Sequence, residues 1–109
     1  MKIDKDILRL EHIMSAIESI LERKSEERDR IVERAIMYDL IVIGEAVRNL
    51  SENIKAKYNQ IPWSDIISLR NRLTHEYFQI DIDVIWKTID DDIPRLKETI
   101  QNIVDELKK

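Results

Sequence analysis

Cysteine is absent from this chain, which excludes disulfides, thiolate nucleophiles and every Cys-based zinc site. Glycine occurs once and proline twice, so the backbone has few built-in turns and few helix breakers. Aromatic residues make up only 6%. No uninterrupted apolar run reaches the roughly 20 residues that a membrane-spanning helix needs. The first residues, Met1-Lys2-Ile3-Asp4-Lys5-Asp6, carry acids and no signal-type apolar core. A reducing, cytoplasmic location is the expectation. A formal charge of -4 argues against a general nucleic-acid coat, so RNA would need a local basic patch on an acidic body.

What fills the sequence is Glu, Lys, Arg, Leu and Ile, with 37% charged residues and 43% hydrophobic ones. That mixture favours helix almost throughout and suits one domain over residues 1–109. Asp4 or Asp6 can cap a first helix to about Arg23, whose apolar stripe includes Leu10, Ile13, Ile17 and Ile20. A second helix is expected from Glu26 to about Leu50. Its middle is apolar on more than one face, the mark of a helix central to a bundle or buried in a dimer. Gly44 lies inside it at a cost of about 1 kcal/mol relative to Ala. Close approach of another backbone is the expected compensation.

Ser51 can cap a short helix to about Tyr58. Pro62 then fits the first turn of a third long helix through Trp63, Ile66, Ile67, Leu69 and Leu73. Phe78-Gln79-Ile80 interrupts it, Asp81 caps a fourth, and Pro94 kinks that helix or starts a fifth segment ending near Leu107. The fold class is all-α: an antiparallel bundle of four to five helices, dimerising through apolar helix faces.

The chemistry concentrates in Leu69-Arg70-Asn71-Arg72-Leu73-Thr74-His75-Glu76-Tyr77. Arg70 offers fixed charge for a phosphate, His75 can move a proton near neutral pH, and Tyr77 adds a hydroxyl. Asn71 and His75 share a helix face, whereas Arg70 lies about 140° around from His75. The two converge only if Arg70 wraps or a second copy meets the first across a two-fold axis. Tyr77 aligns with Arg70 only if the helix persists to it. Such a set suits phosphodiester cleavage in RNA: His75 moves protons, Arg70 neutralises the phosphorane, and Asn71 holds the imidazole or contacts phosphate.

The plainer alternative makes Arg70 and Arg72 solvated charges, with Arg72 paired to Glu76, and His75 a helix C-terminal cation. Asp81, Asp83 and Asp90 to Asp92 are read as caps and first-turn acids rather than metal ligands. His12 is read as a surface residue, and Trp63 and Trp86 as packing residues. Glu45, an acid beside the only glycine in an apolar helix, is a candidate accessory residue, and Arg72 is another.

Arg70, four residues, His75, one residue and Tyr77 together resemble the R-x4-H-x-Y motif of HepT-type toxins in the HEPN superfamily. The similarity extends to Ile43-Gly44-Glu45-Ala46, Ile61-Pro62-Trp63, Leu69-Arg70-Asn71, Ile80-Asp81, Val84-Ile85-Trp86 and Ile93-Pro94-Arg95-Leu96, spanning roughly Tyr38 to Leu96. Ser68 departs from the pattern where the family often has Gly, with an expected change in packing before Arg70. The resemblance implies a homodimeric bundle with a composite site, and a metal-independent endoribonuclease that acts without a cofactor. It implies Arg70 and His75 as catalytic residues, with Asn71 in support. It also implies a minimal nucleotidyltransferase antitoxin that transfers AMP to Tyr77. A noncatalytic HEPN module that binds or regulates such a nucleotidyltransferase is the alternative function.

Overall fold

The computed structural model describes residues 4–109, and Met1 to Ile3 lie outside the described residues. Six α-helices follow one another: α1 (Lys5–Arg23), α2 (Arg30–Arg48), α3 (Glu52–Lys57), α4 (Trp63–His75), α5 (Ile82–Asp91) and α6 (Ile93–Leu107). A 3-10 turn, Tyr77–Gln79, separates α4 from α5. No strand occurs among the described residues. With α3 a single short helix, the remaining five form the expected all-α bundle.

Asp4 caps α1, accepting from the Asp6 and Ile7 backbone N–H groups at 2.9 and 3.2 Å. At its far end the Ser25 hydroxyl donates to the Glu22 carbonyl at 2.9 Å, closing α1. The start expected at Glu26 therefore moves to Arg30, because Asp29 is the cap: its carboxylate accepts from the Val32 N–H at 2.9 Å. Pro62 occupies the cap position one residue before α4, and Asp81 caps α5. Helix α5 ends at Asp91 and α6 begins at Ile93, with Asp92 between them in helical geometry (φ -100°, ψ -36°), and Pro94 sits in the first turn of α6, where its missing N–H is best tolerated.

Two polar ties fix α1 against α2 in antiparallel register: Ser19 Oγ donates to Asp39 at 2.7 Å, and the Ser51 N–H donates to Asp6 at 2.9 Å. Lys24–Asp90 ties the end of α1 to α5, and Lys108–Glu11 ties the end of α6 to the start of α1, each at 3.0 Å. Between these helices Leu10, Ile13, Ile17 and Ile20 meet Ile36, Ile43, Val47, Ile100 and Ile103, all essentially without solvent contact. Each such side chain contributes about 1.5–3 kcal/mol on burial. No polar residue is buried in this core among the described residues.

Helix α4 packs chiefly on α2, and its inward anchors are Trp63 and Leu73. Trp63 and Trp86 are both buried, donating their indole N–H to the Tyr58 carbonyl (3.1 Å) and to Glu33 (3.0 Å). They serve packing, as their spacing suggests. An apolar cleft of about 580 Å³ separates α4 from α5 and α6, lined by Leu40, Ile43, Ile66, Leu69, Ile93 and Leu96 among others.

Candidate functional site

Gly44 is where α2 and α4 touch. A Cβ placed on it would lie 2.2 Å from Arg70 Cβ and 2.7 Å from Arg70 Cγ, with the Ile66 carbonyl oxygen at 3.4 Å. The close approach expected from the sequence is real, and its nearest atoms are the stem of the arginine singled out for chemistry. Only a residue without a side chain admits that stem, so Gly44 sets where Arg70 leaves its helix.

Glu45, the next residue, meets the other end of that side chain. Its Oε2 lies 3.1 Å from Arg70 Nη2, close enough for Coulombic pairing though out of hydrogen-bond alignment. Arg70 Nη1 donates to Asn71 Oδ1 at 3.0 Å. The Arg70 side chain is only 20% exposed, and its buried Nε–H has no hydrogen-bond acceptor. Leaving such a donor open costs about 1–3 kcal/mol. Glu45 is shared further, with Arg48 Nη1 at 3.9 Å and Asn49 Nδ2 at 3.3 Å. The structure thus joins Gly44, Glu45, Arg70 and Asn71 into one cluster.

His75 stays apart from it. It is the last residue of α4, exposed, and makes no side-chain hydrogen bond among the described residues. Asn71 directs its oxygen to Arg70, and no bond joins it to the imidazole. Tyr77 does not align with Arg70 on one helix, since Glu76 leaves helical geometry (φ -128°, ψ 33°) and Tyr77 begins the 3-10 turn. Arg72 pairs with Glu76 at 3.8 Å on the exposed side of α4, as the plainer sequence reading anticipates. Ser68 faces solvent, so its departure from Gly leaves the packing before Arg70 undisturbed. His12 is likewise exposed.

Away from the site, Lys57 donates to Glu106 at 3.1 Å, and that hydrogen bond holds its ammonium pKa above the ordinary lysine value. Asp90 pairs with Lys24, and no group of three or more metal-ligating side chains is gathered among the described residues. No helix among them is long and apolar enough to cross a membrane.

The family described as ribonuclease HepT-like matches residues 9–103, nearly the whole chain. This chain belongs to the HepT-like ribonuclease family. Among its relatives is a protein of Caldanaerobacter subterraneus subsp. tengcongensis whose name proposes an RNase. It is 35% identical over 105 residues, covering 91% of this chain and 94% of the relative. A protein of Thermococcus cleftensis, named as a probable ribonuclease HepT, is 36% identical over 100 residues, covering 86% and 91% of the two chains. A longer Methanocaldococcus jannaschii protein, named for γ-glutamylcyclotransferase and a proposed RNase, is 35% identical over 112 residues. The match covers 96% of this chain and half of that one. No solved structure matches the chain. The HepT-like chain is a ribonuclease by family, with the bundle that its helices predict.

Proposed function

We propose that this HepT-like chain is a metal-independent endoribonuclease, the toxin of a toxin–antitoxin pair, with Arg70 and His75 as its catalytic residues. The observation that carries the reading is the seating of Arg70: its stem rests on Gly44, and its guanidinium is aimed by Glu45 and Asn71. An arginine fixed in advance stabilises a phosphorane without reorganising when charge develops. His75, exposed and unengaged, removes the 2′-OH proton as that oxygen attacks phosphorus. A second imidazole gives a proton to the departing 5′-oxygen, leaving a 2′,3′-cyclic phosphate and a 5′-hydroxyl. Two histidines imply two copies of the chain. Support for a homodimer comes from α2, whose outer face exposes Ile31 and Tyr38 two turns apart (76% and 66%) with Ile41 and Val42 partly covered.

In this reading a minimal nucleotidyltransferase antitoxin silences the enzyme by transferring AMP to Tyr77, two residues beyond His75. The adduct adds phosphate charge and a nucleoside at the mouth of the site, repelling and obstructing RNA. One observation favours the noncatalytic alternative, a HEPN module that binds the nucleotidyltransferase: Arg70 is already neutralised by Glu45. Cleavage of RNA in EDTA decides between them, using partner-free protein of confirmed intact mass beside His75→Ala. Cleavage lost in the variant supports the ribonuclease. Absence of cleavage by unmodified dimeric wild type over varied RNAs supports the binding module.

A further inference from the structure

A second concave site lies where the first turns of α2 meet the 3-10 turn after α4. Its cavity of about 230 Å³ has Arg30, Glu33, Arg34, Met37, Tyr77 and Phe78 among its walls. The charges on this part of α2 are unequally engaged. Asp29 caps the helix and Glu33 accepts the Trp86 indole N–H at 3.0 Å, so both acids have structural work. Arg30 and Arg34 form no ion pair among the described residues. They give the cavity two cations against one carboxylate on a chain whose overall charge is -4.

Phe78 is the second observation. It is 96% exposed, the most exposed large hydrophobic side chain described, and its ring meets Tyr77 edge to face at 5.4 Å. A phenylalanine held in water by a neighbouring aromatic, beside two unpaired arginines, offers a stacking face next to a phosphate site. That pairing of features is how single-stranded nucleic acid is held. The cavity is smaller than the roughly 300–1,000 Å³ that encloses a small ligand, so it admits a phosphate while a base lies outside on Phe78.

We propose that this cavity is a substrate subsite for one nucleotide of single-stranded RNA, with Arg30 and Arg34 holding a backbone phosphate and Phe78 stacking on the base. The inference rests on the ribonuclease reading and names how that enzyme holds its strand. Tyr77 joins the two places: it lines the cavity and follows His75 by two residues. The subsite therefore anchors the strand beside the imidazole and predicts a preference for unpaired RNA, whose bases are free to stack.

The test measures fluorescence anisotropy of a labelled 2′-O-methyl ten-nucleotide RNA, which lacks the attacking hydroxyl, across a salt series. Wild type is compared with Arg30→Ala/Arg34→Ala, Phe78→Ala and Phe78→Trp, and cleavage of the matching ribo-oligonucleotide is followed in parallel. The double arginine variant is expected to bind more weakly, with the log–log salt slope reduced by about 0.7 because one phosphate is no longer neutralised. Phe78→Ala is expected to weaken binding on the order of 5- to 100-fold with the slope unchanged, and Phe78→Trp to retain it. Wild type that cleaves while the variants bind as tightly as it does overturns the subsite alone. Wild type that neither binds nor cleaves overturns the ribonuclease reading and the subsite together. Sedimentation showing monomeric Phe78→Ala beside a dimeric wild type assigns Phe78 to a protein interface and overturns the subsite.

Discussion

The two ends of the stretch from Arg70 to His75 in α4 could hardly differ more. Arg70 is mostly buried, with its stem against Gly44 and its guanidinium between Glu45 and Asn71. His75, five residues on, is exposed at the helix end and touches no polar partner. A cation that stabilises a transition state gains from being fixed beforehand. A proton carrier must instead meet whatever the substrate or a second protomer brings to it. The contrast suits a site half built by one chain and completed by another.

Removing the free end puts this contrast under the greatest strain. His75→Ala is expected to lower the cleavage rate 10²- to 10⁴-fold with the melting temperature unchanged, since the side chain is exposed. A variant that keeps full activity would sink the assignment. At the fixed end, Arg70→Lys keeps the charge and loses the fork that meets Glu45 and Asn71. A fall of about 10²- to 10³-fold in kcat is expected from single-turnover kinetics.

Gly44→Ala tests what seats Arg70. Helix propensity alone would make the variant more stable by about 1 kcal/mol. The new Cβ instead collides with the Cβ of Arg70, an atom tied to the backbone, so α4 must move. A net loss of about 1–3 kcal/mol in urea unfolding is expected, and a more stable variant would contradict this helix crossing. Glu45→Gln probes the guanidinium end. Releasing Arg70 from its carboxylate should tighten RNA binding while changing stability by no more than about 1 kcal/mol, and weaker binding would make Glu45 a substrate contact instead. Smallest of all, Arg72→Ala removes an exposed pair with Glu76 and should leave stability within about 0.5 kcal/mol and cleavage unaltered. A tenfold loss of rate would return Arg72 to the site.

Much of this architecture is legible in the sequence. The stripe Leu10, Ile13, Ile17 and Ile20 has only one way to be buried, because helical spacing puts those residues on one face. Asp81 and Ser51 cap where their side chains can reach a free N–H. The start of α2 is not legible in the same way: the segment from Glu26 to Asp29 offers several acids, and only the backbone geometry at Asp29 selects the cap. Nor does anything local announce that the helix ends at His75. Glu76 and Tyr77 are compatible with another turn, and the break follows from where the chain must go to begin α5.

Periodicity and side-chain chemistry are local properties, so the order of residues alone dictates the helices, their apolar faces and which groups are candidates for chemistry. It also marks Gly44 and Glu45 as unusual in an apolar helix. Their roles emerge only in the packed bundle. Residues 44 and 70 are brought together by the crossing of two helices, and the contact depends on shape at one point of that crossing. The same packing leaves His75 in solvent and sets Tyr77 beside Arg30 and Arg34, since long-range neighbours are chosen by how buried faces fit and not by any single residue's preference.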